Sequence, residues 1–408
     1  MIIMNKLKYY FVLLLAGIAI VSCNKKDDDD EVVVVPLKDY QEQFNTDNAN
    51  IEEYLNTYYI SVTENMDVTF TKITDPAAQP SIMSYLNSAT YPKLILREIP
   101  YVHGITYKMY YLVLREGSGT APMNTDGAVV AYRGEYLSRV DKTATEPSYL
   151  KTTFFEEVIY PKSATDLYGV ILGWSEIFPQ FKTGTTTYDA NGTAVYKDYG
   201  AGVLFIPSGL GYYASGSSSG SIPAYSPLIF TIKLYDYQRL DHENNGYSST
   251  TGALLVNPDG VPDYEEDING DGYVRDYRNT TLYPNPPANP DDTDLDGIPD
   301  FLDHDDDGDG FTTKFEISKP AGEVGVVNGF NYGISLYYPW DPKADNLVTP
   351  NVDETEPRGI PRRPTGALTN PNDPVESANN PKKYTEEDYT APGRLRIHLD
   401  KSYPIKIK

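Results

Sequence analysis

The sequence predicts an α+β fold made mostly of strands, followed by an irregular acidic segment and a loop-rich C-terminal tail. Three observations predict it. Runs rich in Tyr, Val and Leu recur between about 106 and 238, ended by turn residues. One stretch in that region, 173–181, has apolar residues at helical spacing instead, and no regular β-α-β alternation appears. After Asp241 the chain turns Asp-, Asn-, Gly- and Pro-rich, with 18 acidic against 3 basic side chains over 257–316. At 408 residues the chain has room for about two to three domains.

The elements follow in order. Lys6 and Lys8 precede an apolar run over 9–21. That run is short of the ~20 residues a membrane span needs, and it fits an export signal over 1–22. Its end, Ile20-Val21-Ser22-Cys23, resembles a bacterial lipobox. The resemblance implies cleavage before Cys23 and lipid on that residue, the sole cysteine. A lysine-then-acidic run over 24–31 follows and resembles the surface-export signal of Bacteroidota lipoproteins. Residues 23–45 are therefore read as an acidic tether. The expected location is the outer membrane, lipid-anchored, on its periplasmic or cell-surface side.

Asp47-Asn48 is a candidate cap for a helix beginning near Ala49, with Ile51, Tyr54, Leu55 and Tyr58 at helical spacing. It falls in a small, partly helical region over 46–104. Strands are expected over 107–115, 129–136, 203–207 and 228–234. Between them Ile171, Trp174, Ile177, Phe178 and Phe181 mark a short helix, stopped by Gly184. Residues 320–408 form a Pro-rich tail with a strand-like run over 395–399.

Composition limits the functions open to the chain. A net charge of −24 repels phosphate backbones and favours multivalent cations, so nucleic acid is not an expected partner. One cysteine allows neither a disulfide framework nor a cysteine-built zinc site. Four scattered histidines make a histidine metal centre a poor reading.

Five pieces in the strand region carry a resemblance. They are Leu114-Arg-Glu-Gly-Ser-Gly119, Val129-Val-Ala-Tyr-Arg-Gly134, Gly169-Val-Ile-Leu-Gly-Trp174, Phe205-Ile-Pro-Ser-Gly-Leu-Gly-Tyr212 and Ile222-Pro-Ala-Tyr-Ser-Pro-Leu-Ile-Phe230. In that order they resemble an FKBP-type peptidyl-prolyl cis-trans isomerase domain, placed over 105–240. The resemblance implies an antiparallel sheet curled around one short helix, and proline-containing polypeptides as substrates. It implies Trp174 as the pocket floor, Val170 and Ile171 as a wall, and the Ile171 N–H as donor to a substrate carbonyl. Tyr132, Tyr212, Ile222 and Phe230 would complete the enclosure, with no cofactor needed for catalysis. One departure stands out. Where the family usually has a Phe-Asp pair, this chain has Phe155-Glu156, after a long insertion over 138–153, and the 214–221 tip is Ser/Gly-rich.

The acidic segment, 257–316, reads as a calcium array. Asp305, Asp307 and Asp309 fall at positions 1, 3 and 5 of a calcium loop, Gly310 at 6, the Phe311 carbonyl at 7 and Glu316 at 12. Asp292, Asp294 and Asp296 repeat the spacing upstream, with Asp300 and Asp303 at positions 9 and 12. Asp267, Asn269 and Asp271 start a weaker third loop that has Arg278 at position 12, and 257–263 is a partial echo. The whole resembles thrombospondin type 3 calcium repeats. So many carboxylates in a short segment repel one another unless a divalent cation neutralises them. Calcium is expected to be structural, and its removal to loosen 257–316 while leaving 105–240 intact. The competing reading is a non-catalytic module that captures proline segments or serves adhesion, with a calcium-stabilised spacer.

Overall fold

The computed structural model describes residues 37–404, except 146, 348 and 350. The expected signal peptide, Cys23 and most of the tether lie outside the described residues. No helix among the described residues is long and apolar enough to cross a membrane.

Helix α1 (Tyr40–Thr57) opens on Asp39, whose side chain accepts from the Glu42 N–H at 3.0 Å. It starts well before Ala49 and takes in the end of the expected tether. Asp47, read as a cap, is instead buried in the helix interior. Its carboxylate accepts from Ser208 N (2.8 Å) and Oγ (2.6 Å), a tertiary use of a cap-type residue. A small hairpin follows, β1 (Tyr58–Val62) with β2 (Val68–Lys72).

The main sheet contains β3 (Lys93–Ile99), β4 (Tyr107–Arg115), β5 (Gly127–Val140), β6 (Tyr149–Val158), β7 (Thr165–Asp166), β10 (Gly200–Ile206) and β11 (Leu228–Gln238). Its order is β3-β4-β10-β11-β5-β6, with β7 on β5, and every pairing is antiparallel. Helix α2 (Leu172–Ile177) runs on into a 3₁₀ turn, Phe178–Gln180. A second hairpin, β8 (Thr185–Tyr188) and β9 (Ala194–Lys197), precedes β10. The insertion over 138–153 is largely the elongated β5–β6 hairpin.

Strand periodicity decides which face each residue covers. On β4, Tyr107, Met109, Tyr111 and Val113 join the core under α2, while Tyr110, Leu112 and Leu114 face α1. On β10, Leu204 and Ile206 take the first side, Val203 and Phe205 the second. The sheet is therefore packed on both faces, by α2 on one and by α1 on the other. Each fully buried aliphatic or Phe side chain contributes about 1.5–3 kcal/mol. A boundary at 105 would cut this sheet: β3 pairs with β4 along seven residues, and Ile51, Tyr54 and Leu55 cover the second face.

The acidic segment has apolar anchors that composition hides. Val274 and Phe301 pack with Met123 of the sheet region. Val261 and Ile317 join Tyr338, Ile360, Tyr389 and Ile397 in a small core shared with the tail. The strand-like run near 397 is a 3₁₀ turn, Ile397–Leu399, with His398 fully buried against Trp340. Short helices α3 (Thr313–Glu316) and α4 (Glu386–Thr390) complete the chain.

Candidate functional site

A cleft of about 890 Å³ opens at the end of α2. Tyr132 comes from β5, Phe155 and Glu156 from β6, Phe230 from β11, and Trp174 from α2; all line it. Val170, Ile171 and Tyr212 line it from the loops before α2 and after β10. The structure thus brings eight of the nine expected pocket residues to one cleft. Ile222 is the exception. It is 3 % exposed and packs in the core, its N–H held by Ser217 Oγ at 2.9 Å. The Ser217, Ser219 and Ser221 hydroxyls bond one another and fold the Ser/Gly-rich tip on itself.

The rings meet edge to face. Tyr132 and Phe230 stand nearly perpendicular to Trp174, with centroids 5.0 and 5.1 Å away, and Phe155 stands 5.6 Å from Phe230. Such pairs add about 0.5–1.5 kcal/mol beyond burial. Close packing fixes Gly134, because a Cβ there would overlap the Phe155 ring. Trp174 is 5 % exposed but borders the cleft, and its Nε1–H is buried without a partner. Glu156 is exposed at the rim. Burial, and then the Glu156 carboxylate, push the Tyr132 hydroxyl up to about 12 and raise that of Tyr212. The polar edge of the cleft therefore carries a carboxylate and two neutral phenols.

Two groups of lining residues were not foreseen. His103 and Tyr213 line one side, where Tyr40 at the start of α1 stacks on both, at 3.8 and 4.5 Å. Burial lowers the His103 pKa to about 4, so the ring is neutral. Facing them is the acidic segment, through Val274, Arg275, Asp276, Asn279, Leu282 and Tyr283. It is stitched down by Asn124, which bonds both Val274 N (3.0 Å) and O (2.6 Å), and by Tyr273 Oη donating to the Glu176 carbonyl at 2.9 Å. Glu176 of α2 also pairs with Arg275 and with Arg97. Tyr277, Leu282 and Tyr283 were the available signal, as apolar residues in an otherwise polar stretch.

The calcium-type loops differ in how far they are assembled. Carboxylate oxygens of Asp305, Asp307 and Asp309 lie within 4.8 Å of one another, as do those of Asp292, Asp294 and Asp296. In the first loop Asp305 accepts from Gly310 N, while Asp307 Oδ2, Asp309 Oδ2 and both Glu316 oxygens are buried without a partner. Burial, then the Asp307, Asp309 and Asp305 carboxylates, push Glu316 up to about 10. These orphaned oxygens fit a hard cation. In the second loop Asp300 is engaged by Thr293 N and Oγ1 (2.8 and 2.7 Å), and Asp303 accepts from Asp305 N at 3.0 Å. In the third loop the first ligand position is tied to the loop backbone, as Asp305 is in the first. Asp267 accepts from Gly270, Asp271 and Gly272 N–H groups, and Asn269 bonds Asp291.

A family model described as BamM C-terminal matches residues 257–351. No curated relative matches the chain. Among solved structures it is similar to FKBP-type isomerases. One is a peptidyl-prolyl cis-trans isomerase from Pseudomonas syringae pv. tomato, at TM-score 0.27 and 16% identity over 50% of this chain and 99% of that one. Another is FkpA from Escherichia coli, at TM-score 0.26 and 19% identity over 48% of this chain and 60% of that one. A third is the three-domain structure of wheat FKBP73, at 0.22 and 17%, over 32% and 46%.

Proposed function

We propose that the chain is an FKBP-type peptidyl-prolyl cis-trans isomerase that assists the folding of exported proteins, anchored by lipid on Cys23 at the outer membrane. The observation that carries the reading is the open cleft floored by Trp174, with Tyr132 and Phe230 set edge-on to it. Amide resonance puts a barrier of about 18–20 kcal/mol on prolyl rotation. The twisted transition state loses that resonance, and a largely apolar, ring-lined site favours it over the planar ground state without acid, base or nucleophile. Uncatalysed isomerisation takes tens of seconds or longer, slow enough to limit folding.

Calcium is the structural partner in this reading. Asp305, Asp307, Asp309 and Glu316 would hold one ion, and Asp292, Asp294 and Asp296 another, cancelling charge that otherwise opposes packing.

One observation favours the non-catalytic reading: the carboxylate at the rim is an exposed glutamate, one methylene longer than the aspartate the family usually has. An isomerisation assay on a proline tetrapeptide separates the two. Isomerase chemistry predicts turnover that Trp174→Ala lowers at least about tenfold, the weight of roughly 1.4 kcal/mol. Absence of turnover with retained peptide binding selects the capture module, and turnover untouched by Trp174→Ala removes the pocket assignment.

A further inference from the structure

We propose that Asp259, Glu266 and Asp306, flanked by Asp241 and Glu243, hold a divalent cation of the calcium type at a buried site separate from the two motif loops. It goes beyond the two complete calcium loops above, since none of the five is a ligand of either; Asp259 and Glu266 keep the interval between positions 5 and 12 within the partial echo, and Asp241, Glu243 and Asp306 come from outside it. Three separate stretches converge. Asp241 and Glu243 follow the last strand of the sheet, Asp259 and Glu266 lie around the 3₁₀ turn Asp263–Glu265, and Asp306 comes from the loop ahead of α3.

Geometry and burial carry the site. Carboxylate oxygens of Asp259, Glu266 and Asp306 lie within 4.8 Å of one another, and so do those of Asp241, Glu243 and Asp259. Two oxygens on opposite sides of a calcium ion, each about 2.4 Å from it, would be about 4.8 Å apart. Glu243, Asp259, Glu266 and Asp306 are each at most 1 % exposed. Both oxygens of Glu266, both of Asp306, and one each of Asp241, Glu243 and Asp259 are buried without a hydrogen-bond partner. A buried orphan acceptor costs about 1–3 kcal/mol, more when charged, so a group of seven such atoms calls for a counter-charge.

Among the described residues no ion pair supplies that charge, since none of the five forms one. The nearby cations are engaged elsewhere. His242 is held by Asp263 (2.6 Å) and Asp166 (3.3 Å), and Lys314 Nζ donates to the Pro258 carbonyl at 2.8 Å. An all-oxygen, all-anionic set suits a hard cation with a flexible shell, which favours calcium over transition metals. Bound there, the ion ties the stretch after β11 to the first part of the acidic segment and to the loop ahead of α3.

The test counts calcium. The full chain, stripped with chelator, is titrated with calcium chloride, and bound ions per chain are read by equilibrium dialysis and native mass spectrometry. Glu266→Gln and Asp306→Asn each lower the count by at least one, and Glu316→Gln lowers it independently, so that Glu266→Gln/Glu316→Gln shows both losses. Asp241→Asn, at the half-exposed edge, is the milder variant should either buried change prevent folding; it weakens one class of sites at least tenfold. An unchanged count and affinity in Glu266→Gln and Asp241→Asn, with a loss in Glu316→Gln, overturns this site and leaves the loops standing. No calcium bound to the wild-type chain overturns both.

Discussion

Removing the Glu176 carboxylate should loosen the wall of the cleft from the helix that carries Trp174. Its side chain is 1 % exposed and accepts from Arg97 at 2.9 Å and from both terminal nitrogens of Arg275, one of them at 3.2 Å. Taking one partner from a buried pair costs about 3–5 kcal/mol. Both arginines are about a fifth exposed, so water screens part of this, and about 2–4 kcal/mol is expected for Glu176→Ala. At ~1.4 kcal/mol per decade, that is roughly a 30- to 700-fold change in the folding equilibrium. Urea unfolding measures it, and a cycle with Arg275→Ala isolates the pair, with a coupling of about 2 kcal/mol expected. Acid supplies a second check. Burial alone would raise the Glu176 pKa, but Arg275 and then Arg97 outweigh it and hold it below the ordinary value. The stabilisation is therefore complete above the unfolded carboxylate range, and it fades as pH falls through the lower folded value. Additivity within about 0.5 kcal/mol, or a wild-type-to-variant gap that does not narrow in acid, would refute the tie.

Chelation should open protease sites within 257–316 while the sheet over 93–238 stays protected, and peptide binding in the cleft should change because 274–283 form one wall; an unaltered digest counts against calcium. Asp47→Ala strands the buried Ser208 N–H and hydroxyl and should cost about 2–4 kcal/mol, read by thermal unfolding; a change below about 0.5 kcal/mol removes the anchoring role. Burial acts to raise the Asp388 pKa, but bonds from Thr385, Arg394 and Thr365 hold it down at about 2. The tail core around Tyr389 should therefore keep this support above about pH 4 and lose it toward about pH 2. Near-UV dichroism of wild type against Asp388→Asn checks this, with no acid-dependent difference as the contrary result.

Local patterns were legible where the cause is local. Tyr107 to Arg115 announces a strand by composition, Trp174, Ile177 and Phe178 announce α2 by spacing, and the Asp305 loop is fixed by intervals within twelve residues. What failed depended on distant partners. Asp47 looked like a cap because its real partner, Ser208, is 161 positions away. Residues 93–99 were not placed in the sheet, since nothing in them names β4 as neighbour. Ile222 has the right residue type, yet the folded Ser/Gly tip turns it into the core. Asp259 and Glu266 keep the interval between positions 5 and 12 of a calcium loop, but Asp241, Glu243 and Asp306 join them from other stretches and follow no interval rule. The tail hid its core in widely spaced tyrosines and isoleucines among prolines.

The wall formed by Val274 to Tyr283 also fixes an order of events during synthesis. The ribosome delivers Tyr132, Trp174 and Phe230 before it delivers Arg275 or Leu282. Chains fold from the N-terminal side as they emerge, at about 5–20 residues per second. Until 274–283 are in place, the sheet presents a wider mouth than the finished molecule, wherever on its route of export the chain folds. The width of the entrance is set last, by the part of the polypeptide richest in aspartate.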